Sequence, residues 1–342
     1  MTANSDALLR VSGLTVQFPV RHDVLGRVKS SVSAVDDVSF HIDRGETLGL
    51  VGESGCGKTS AARGVLLLER PVAGEVVFEG RDLMTVAPAD LRRTRRRMQM
   101  IHQDPAANLN PRMTIREIVG EPFAIHRVLE GRARDERVAQ LLETVGLSTT
   151  YMSRYPHQFS GGQCQRIGIA RALALDPVFL VCDEPTSALD VSIRAQVLNL
   201  LTELQQVREL TYLFIAHDLR VIDHVSDRIA VMYLGKIVEM GMPAQISGNS
   251  RHPYTRALMS AMPVPEPAKA RNASRIILSG DLPSPANPPQ GCRFHTRCWL
   301  YRQLGEPATC REDPPGLVDV EPGHVAACHF QEKMPAAGAV TD

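Results

Sequence analysis

Gly52-Glu53-Ser54-Gly55-Cys56-Gly57-Lys58-Thr59 has the residue types and spacing of a loop that wraps a polyphosphate. Its glycines let backbone amides turn toward an anion, Lys58 can reach β and γ phosphates, and the Thr59 hydroxyl, followed by Ser60, can ligate Mg²⁺. Three further groups could share such chemistry. Asp183-Glu184 offers one carboxylate to hold Mg²⁺ through water and a second to orient or deprotonate an attacking water. His217 can donate to a developing negative charge. Ser160-Gly161-Gly162-Gln163 opens a helical run, and a helix N-terminus gathers unsatisfied N–H donors and partial positive charge suited to phosphate.

These residues need elements to aim them. Thr47 to Val51 reads as a buried strand leading into the Lys58 loop, and a helix follows, which is the setting the loop requires. Val178 to Cys182 is a second apolar strand ending at Asp183, and Thr211 to Ala216 a third, delivering His217. Ser160 is a helix cap, with helical sequence predicted from Gln163 onward. In DERVAQLLETVG, Val138, Leu141, Leu142 and Val145 recur at helical spacing and Gly146 suits the helix end, so these side chains are expected in a core. The run Leu91-Arg92-Arg93-Thr94-Arg95-Arg96-Arg97 could be offered as a nucleic-acid patch, but a solvated helix face is the expectation.

Composition narrows the classes. With 38 Lys+Arg against 38 Asp+Glu the formal charge is zero, so no global field draws the chain to nucleic acid or an anionic membrane. The start, MTANSDALLRVSG, lacks the basic and apolar regions of a signal peptide. No run of about 18 apolar residues suggests a membrane span. After Met242 the character changes: 14 of the 23 prolines lie beyond it, in runs such as PVPEP and LPSPANPPQ. Four of the 7 cysteines lie there too: Cys292, Cys298, Cys310 and Cys328. Disulfides are not expected in a reducing cytosol, and the spacing leaves zinc and an iron–sulfur cluster both open, with His295, His324 and His329 near enough in sequence for a mixed zinc site.

From about Leu8 to Met242 the order of motifs resembles the ATP-binding cassette (ABC) ATPases. The resemblance implies an α/β P-loop NTPase fold with a RecA-like core, an antiparallel β subdomain and a helical subdomain over about residues 104–170. It implies ATP and Mg²⁺ as ligands. Phe18 would stack on adenine, and Gly52, Glu53, Ser54, Gly55, Cys56, Gly57, Lys58, Thr59 and Ser60 would hold the phosphates. Thr59, Gln103 and Asp183 would serve magnesium, Glu184 would be the general base and His217 the γ-phosphate switch. Ser160, Gly161, Gly162 and Gln163 would contact ATP held by the opposite subunit in trans, with Asp190 at the dimer seam. Phe159 and Cys164 depart from the commonest family version, which has Leu and a basic residue, but neither departure removes a phosphate-contacting group. Residues Gln103 to Glu121, with turn formers Asp104-Pro105 and Asn110-Pro111, would receive a short helix from a membrane subunit.

Residues 243–330 resemble the C-terminal extension of oligopeptide and dipeptide importer ATPases, through RHPYTRAL (251–258), LSGDLPSP (278–285) and the Gly291–Cys298 segment. Residues 331–342 are expected to form a flexible tail. Some members of that group bind a 4Fe–4S cluster through four such cysteines, so the resemblance implies this ligand at Cys292, Cys298, Cys310 and Cys328, in a structural role, with Zn²⁺ as the alternative. It also implies a peptide importer at the cytoplasmic face of the inner membrane: a second cassette, expected to be a paralogue, two membrane permease subunits, and an extracytoplasmic solute-binding protein. Rival expectations are nickel or a glutathione-like cargo and, further off, a non-transport ABC protein acting on nucleic acid or ribosomes.

Overall fold

Fully buried apolar runs of five residues build the strands that carry the site, and these strands are β-branched and aromatic enough to favour extended backbone. In the computed structural model, residues 7–22, 28–104, 107–261 and 276–335 are described. Pro105, the PVPEP run and residues 336–342 of the expected tail lie outside them.

The strands are, in chain order, β1 (Ala7–His22), β2 (Val28–Asp43), β3 (Thr47–Val51), β4 (Ala73–Phe78), β5 (Arg81–Asp82), β6 (Met98–Ile101), β7 (Phe179–Asp183), β8 (Thr211–Ile215), β9 (Arg228–Tyr233), β10 (Lys236–Gly241), β11 (Val318–Glu321) and β12 (His324–Ala326). The longer helices are α1 (Lys58–Val65), α2 (Pro88–Thr94), α3 (Ile115–His126), α4 (Gly131–Thr144), α5 (Gly161–Ala172), α6 (Val191–Arg208), α7 (Leu219–Val225), α8 (Pro243–Gly248) and α9 (Pro253–Ser260). The described residues divide into two compact units, one drawn from residues 7–8, 42–47 and 78–216, the other from 9–41, 48–77 and 217–335.

In the second unit, β3 runs parallel to β9 with Leu50 opposite Ala230. β9 and β10 form a hairpin whose central residues, Leu234 and Gly235, both have positive φ (42° and 81°), the conformation of a tight type I′ turn. The sheet does not stop at β10: β12 pairs with it antiparallel, Val325 opposite Met240, and β11 follows on β12. The Pro-rich region therefore completes the same sheet that carries the Lys58 loop. Glu239, fully buried in β10, accepts from His324 Nε2 at 2.8 Å and from the His252 backbone N–H at 3.0 Å, so its charge is met by donors on either side.

In the first unit, β6, β7 and β8 are parallel, with Gln99 opposite Leu180 and Cys182 opposite Phe214. α3, α4 and α5 pack on one another. Their contact face includes Ile118, Val119, Phe123, Val138, Leu141, Leu142 and Ile167, each almost wholly removed from water. α4 ends in a Schellman motif: Leu147 N–H donates to Leu142 O at 2.8 Å and Gly146 N–H to Glu143 O at 2.9 Å, with Gly146 at φ 72°.

The arginine run is the solvated helix face expected, with Arg92, Arg93 and Arg97 exposed and none of α2 buried, but three of its arginines also have partners. Arg92 donates to Ile125 O at 2.7 Å, and Arg96 to His126 O at 2.9 Å and to His126 Nδ1 at 3.1 Å, so two guanidinium groups meet carbonyls at the C-terminal end of α3. Arg97 grips Glu79 with two bonds of 2.8 Å. Glu79 is held below the usual carboxylate range, first by those Arg97 bonds. Burial and then the charges of Arg96 and Arg92 depress His126.

Candidate functional site

The second unit holds the Lys58 loop. β3 delivers the chain to Gly52, and the loop turns at Gly52, Gly55 and Gly57 with φ of 154°, 78° and 109°, in the region open to glycine. Space enforces the same choice: a Cβ at Gly52 would overlap Met232 O, and one at Gly57 would overlap Ala34 O. Ser54 and Gly55 form the exposed crest. Lys58, only 6% exposed, folds back so that Nζ donates to Gly52 O at 2.8 Å and Glu53 O at 3.0 Å. An anion entering the loop would compete for those three ammonium protons. Cys56 is a buried packing thiol whose pKa is raised by burial, and Thr59 and Ser60 open α1 half-buried. Phe18, on β1, leaves its ring partly exposed, as stacking on a flat ligand requires. His217 is exposed and directly precedes Asp218, the cap of α7.

Two supports of this loop come from residues that local sequence reading did not single out. Tyr254 Oη accepts the Glu53 N–H at 2.8 Å, and Arg297 grips the Glu53 carboxylate through Nη1 at 2.8 Å and Nη2 at 3.3 Å. Tyr254 lay inside the RHPYTRAL resemblance. Arg297 lay inside the Gly291–Cys298 resemblance, but nothing there pointed to Glu53.

The first unit holds the acidic strand end. Asp183 closes β7 and is 4% exposed. Glu184 follows at φ 46°, a left-handed conformation that costs a non-glycine residue about 1–2 kcal/mol, and it is neither a helix end nor a hairpin turn. Its backbone N–H donates to Ile215 O at 2.9 Å, and Gln103 Nε2 donates to its carboxylate at 2.9 Å. The structure thus brings Gln103 to Glu184 across 81 residues of sequence.

Ser160 caps α5 in a closed box: Gln163 N–H donates to Ser160 Oγ at 3.3 Å and Ser160 N–H to Gln163 Oε1 at 3.1 Å. The helix begins at Gly161, two residues before the predicted start. The two glycines differ. A Cβ at Gly162 would overlap Ile193 Cγ2 of α6, whereas one at Gly161 would meet only Leu189 Cδ2 at an ordinary 3.6 Å. Gly161 is exposed, as is Ser160. Asp190 caps α6, its carboxylate accepting Ile193 N–H at 3.0 Å, and the adjacent Val191 is 82% exposed. Phe159 packs edge-on against Tyr151 at 5.3 Å, and Cys164 is a buried thiol raised by burial.

The four C-terminal cysteines are free, and burial with one another's charge pushes Cys292 up to about 11 and Cys298 and Cys328 up to about 12. Backbone N–H groups point at the sulfurs: Tyr301 to Cys298 and Phe330 to Cys328, each at 3.4 Å. Such donors favour thiolate over thiol, and a donor set of four sulfurs, Cys298 and Cys310 buried and Cys292 and Cys328 half-buried, has the chemistry of a soft metal or cluster site. Among the described residues, however, no group of three or more His, Cys, Asp or Glu is placed to hold a metal ion. His295 bonds Cys292 O through Nδ1, His329 bonds Asp313 O through Nε2, and His324 Nε2 is taken by Glu239. Among the described residues no helix is long and apolar enough to cross a membrane.

Residues 35–187 match the family described as ABC transporter, and residues 238–303 match the oligopeptide/dipeptide transporter C-terminal region. The chain is 49% identical over 329 residues to the oligopeptide transport ATP-binding protein AppF of Bacillus subtilis, covering 96% of this chain and 98% of that protein. It is 47% identical over 328 residues to the oligopeptide transport ATP-binding protein OppF of Haemophilus influenzae, covering 95% and 97%. Among solved structures it is similar to the dimeric ATP-binding cassette MJ0796 bound to ADP and Pi, with a TM-score of 0.61 and 26% identity over 69% of this chain and 98% of that one.

Proposed function

The chain belongs to the ABC transporter family, among the ATP-binding proteins of oligopeptide transporters, and from that premise we propose that it hydrolyses ATP to drive import of di- or oligopeptides. Glu184 carries the reading: a carboxylate at the end of a buried strand, in a strained conformation, with Gln103 on its oxygen. In this reading Glu184 is the general base for water, and Asp183, Thr59 and Gln103 serve Mg²⁺. Lys58 and the amides of Gly52 to Ser60 hold the phosphates, Phe18 stacks on adenine, and His217 donates to the γ-phosphate as charge develops. Glu184→Gln is expected to retain ATP binding and lose nearly all phosphate release; unchanged hydrolysis overturns the base assignment.

The start of α5 serves a nucleotide this chain does not hold. Its support is the exposed face that Ser160, Gly161, Asp190 and Val191 share, because Leu189 lies against Gly161 and Ile193 against Gly162. A second cassette, expected to be a paralogue, would cover that face. Two permease subunits, supplied with cargo by an extracytoplasmic solute-binding protein, would hold the pair at the cytoplasmic face of the membrane, with residues 103–121 as the docking region.

We further propose a structural 4Fe–4S cluster at Cys292, Cys298, Cys310 and Cys328, supported by the four thiols lying within electrostatic range of one another and by the amides directed at Cys298 and Cys328. Because thiols bind iron as thiolates, assembly should release protons. Iron and acid-labile sulfide analysis of anaerobically purified protein tests this; absence of both overturns it.

A further inference from the structure

Glu53 is an awkward residue for a polyphosphate loop. It puts a carboxylate among amides and an ammonium arranged for an anion, and like charge at that range weakens phosphate binding. The structure deals with it from far along the chain. Arg297, 244 residues downstream, forms a two-bonded fork on the carboxylate, and its side chain is only 10% exposed. Tyr254, 201 residues downstream, accepts the Glu53 N–H.

The same short segment reaches the loop a second time. Arg293 donates to Leu234 O and to Asp36. Leu234 is the strained residue of the β9–β10 turn, and the next residue, Gly235, donates its N–H to Cys56 O of the loop at 2.8 Å. Between the two arginines, Phe294 packs on Tyr233 and Tyr254 with ring centroids 5.2 and 5.4 Å apart, and Tyr233 and Tyr254 lie 4.7 Å from each other. This buried cluster fixes the distance from the segment to the loop.

We propose that Arg297 is a positioning residue for nucleotide binding: the Cys292–Cys298 segment braces the Lys58 loop, and Arg297 raises its affinity for polyphosphate by holding and neutralising Glu53. The proposal rests on the loop being the nucleotide site. It assigns the C-terminal region a part in ATP binding independent of any metal.

Titration of intact protein with Mg-ATP by calorimetry, alongside thermal unfolding, tests it. Wild type should bind; failure to bind overturns the nucleotide-site reading and not the brace. Arg297→Met should weaken ATP binding about tenfold, and Arg297→Met with Glu53→Gln should recover to within about threefold of wild type, since no carboxylate is left to neutralise. A merely structural pair would show the same loss and recovery in thermal unfolding, so the affinity change is read between variants whose melting temperatures match wild type. Unchanged affinity in Arg297→Met, or a double variant as weak as the single one, overturns the proposal. Arg297→Lys keeps the charge and loses the fork, and covers the case in which the methionine variant does not fold. It should weaken binding about threefold, and wild-type affinity in it overturns the proposal.

Discussion

The Lys58 loop and the start of α5, both proposed above as phosphate sites, are glycine-rich, yet their glycines are held to different constraints. At Gly52 and Gly57 this chain's own atoms, Met232 O and Ala34 O, forbid a side chain. Gly162 is likewise claimed from within, by Ile193, while Gly161 has room for a methyl group and stands exposed. Nothing in the described residues asks for glycine at 161. In the proposed reading, the reason for glycine at 161 lies outside the chain, in the nucleotide of the opposite subunit.

Substitutions can break or sharpen that contrast. The largest expected effect is on the chemistry of the first unit: Glu184→Gln should lower ATP turnover by about 10³-fold in the assembled transporter while ATP still binds, measured by phosphate release and filter binding. Gly57→Ala should cost stability itself, about 3 kcal/mol in urea unfolding, because the new methyl meets Ala34 O at a φ of 109°. Its failure to destabilise would erase the internal half of the contrast.

Acid should probe the bracing region. Burial depresses His252 to about 3, against about 6.5 in an unfolded chain, so the unfolded state takes up a proton that the folded state refuses. The resulting stability is fully present above pH 6.5 and declines as pH falls toward 3. It should amount to a loss of about 2 kcal/mol between pH 7 and pH 5, measured by urea unfolding at both, and absent in His252→Asn.

The smallest expected effect sharpens the contrast most. Gly161→Ala should leave the melting temperature of the isolated chain within about 2 °C and lower turnover of the paired cassettes about tenfold, by intruding on the opposite subunit's nucleotide. A stable variant with wild-type turnover would remove the external reason for this glycine.

Legibility followed locality. The Lys58 loop, the ends of β7 and β8 and the Ser160 cap are each written within about ten residues, so residue type and spacing revealed them. Gly146 could be read as a helix end because a Schellman turn is local. What could not be read depended on distant partners. Arg92, Arg96 and Arg97 look alike in sequence, and although the run is solvated as expected, only the structure shows which of them meet the α3 terminus and which Glu79. The Pro-rich region reads as a separate module because its prolines break the βα rhythm, yet β12 joins β10 in pairing that no periodicity announces. Arg297 on Glu53 is the extreme case.

The pairing of β12 with β10 also sets a timetable. A ribosome adds about 5–20 residues per second, so β10 has emerged several seconds before β12, and Glu53 waits on the order of 12–50 s for Arg297. During that interval the outer edge of β10 is an unpaired strand open to other chains. Nascent or truncated forms that stop short of residue 324 should therefore be the forms that aggregate and that chaperones hold.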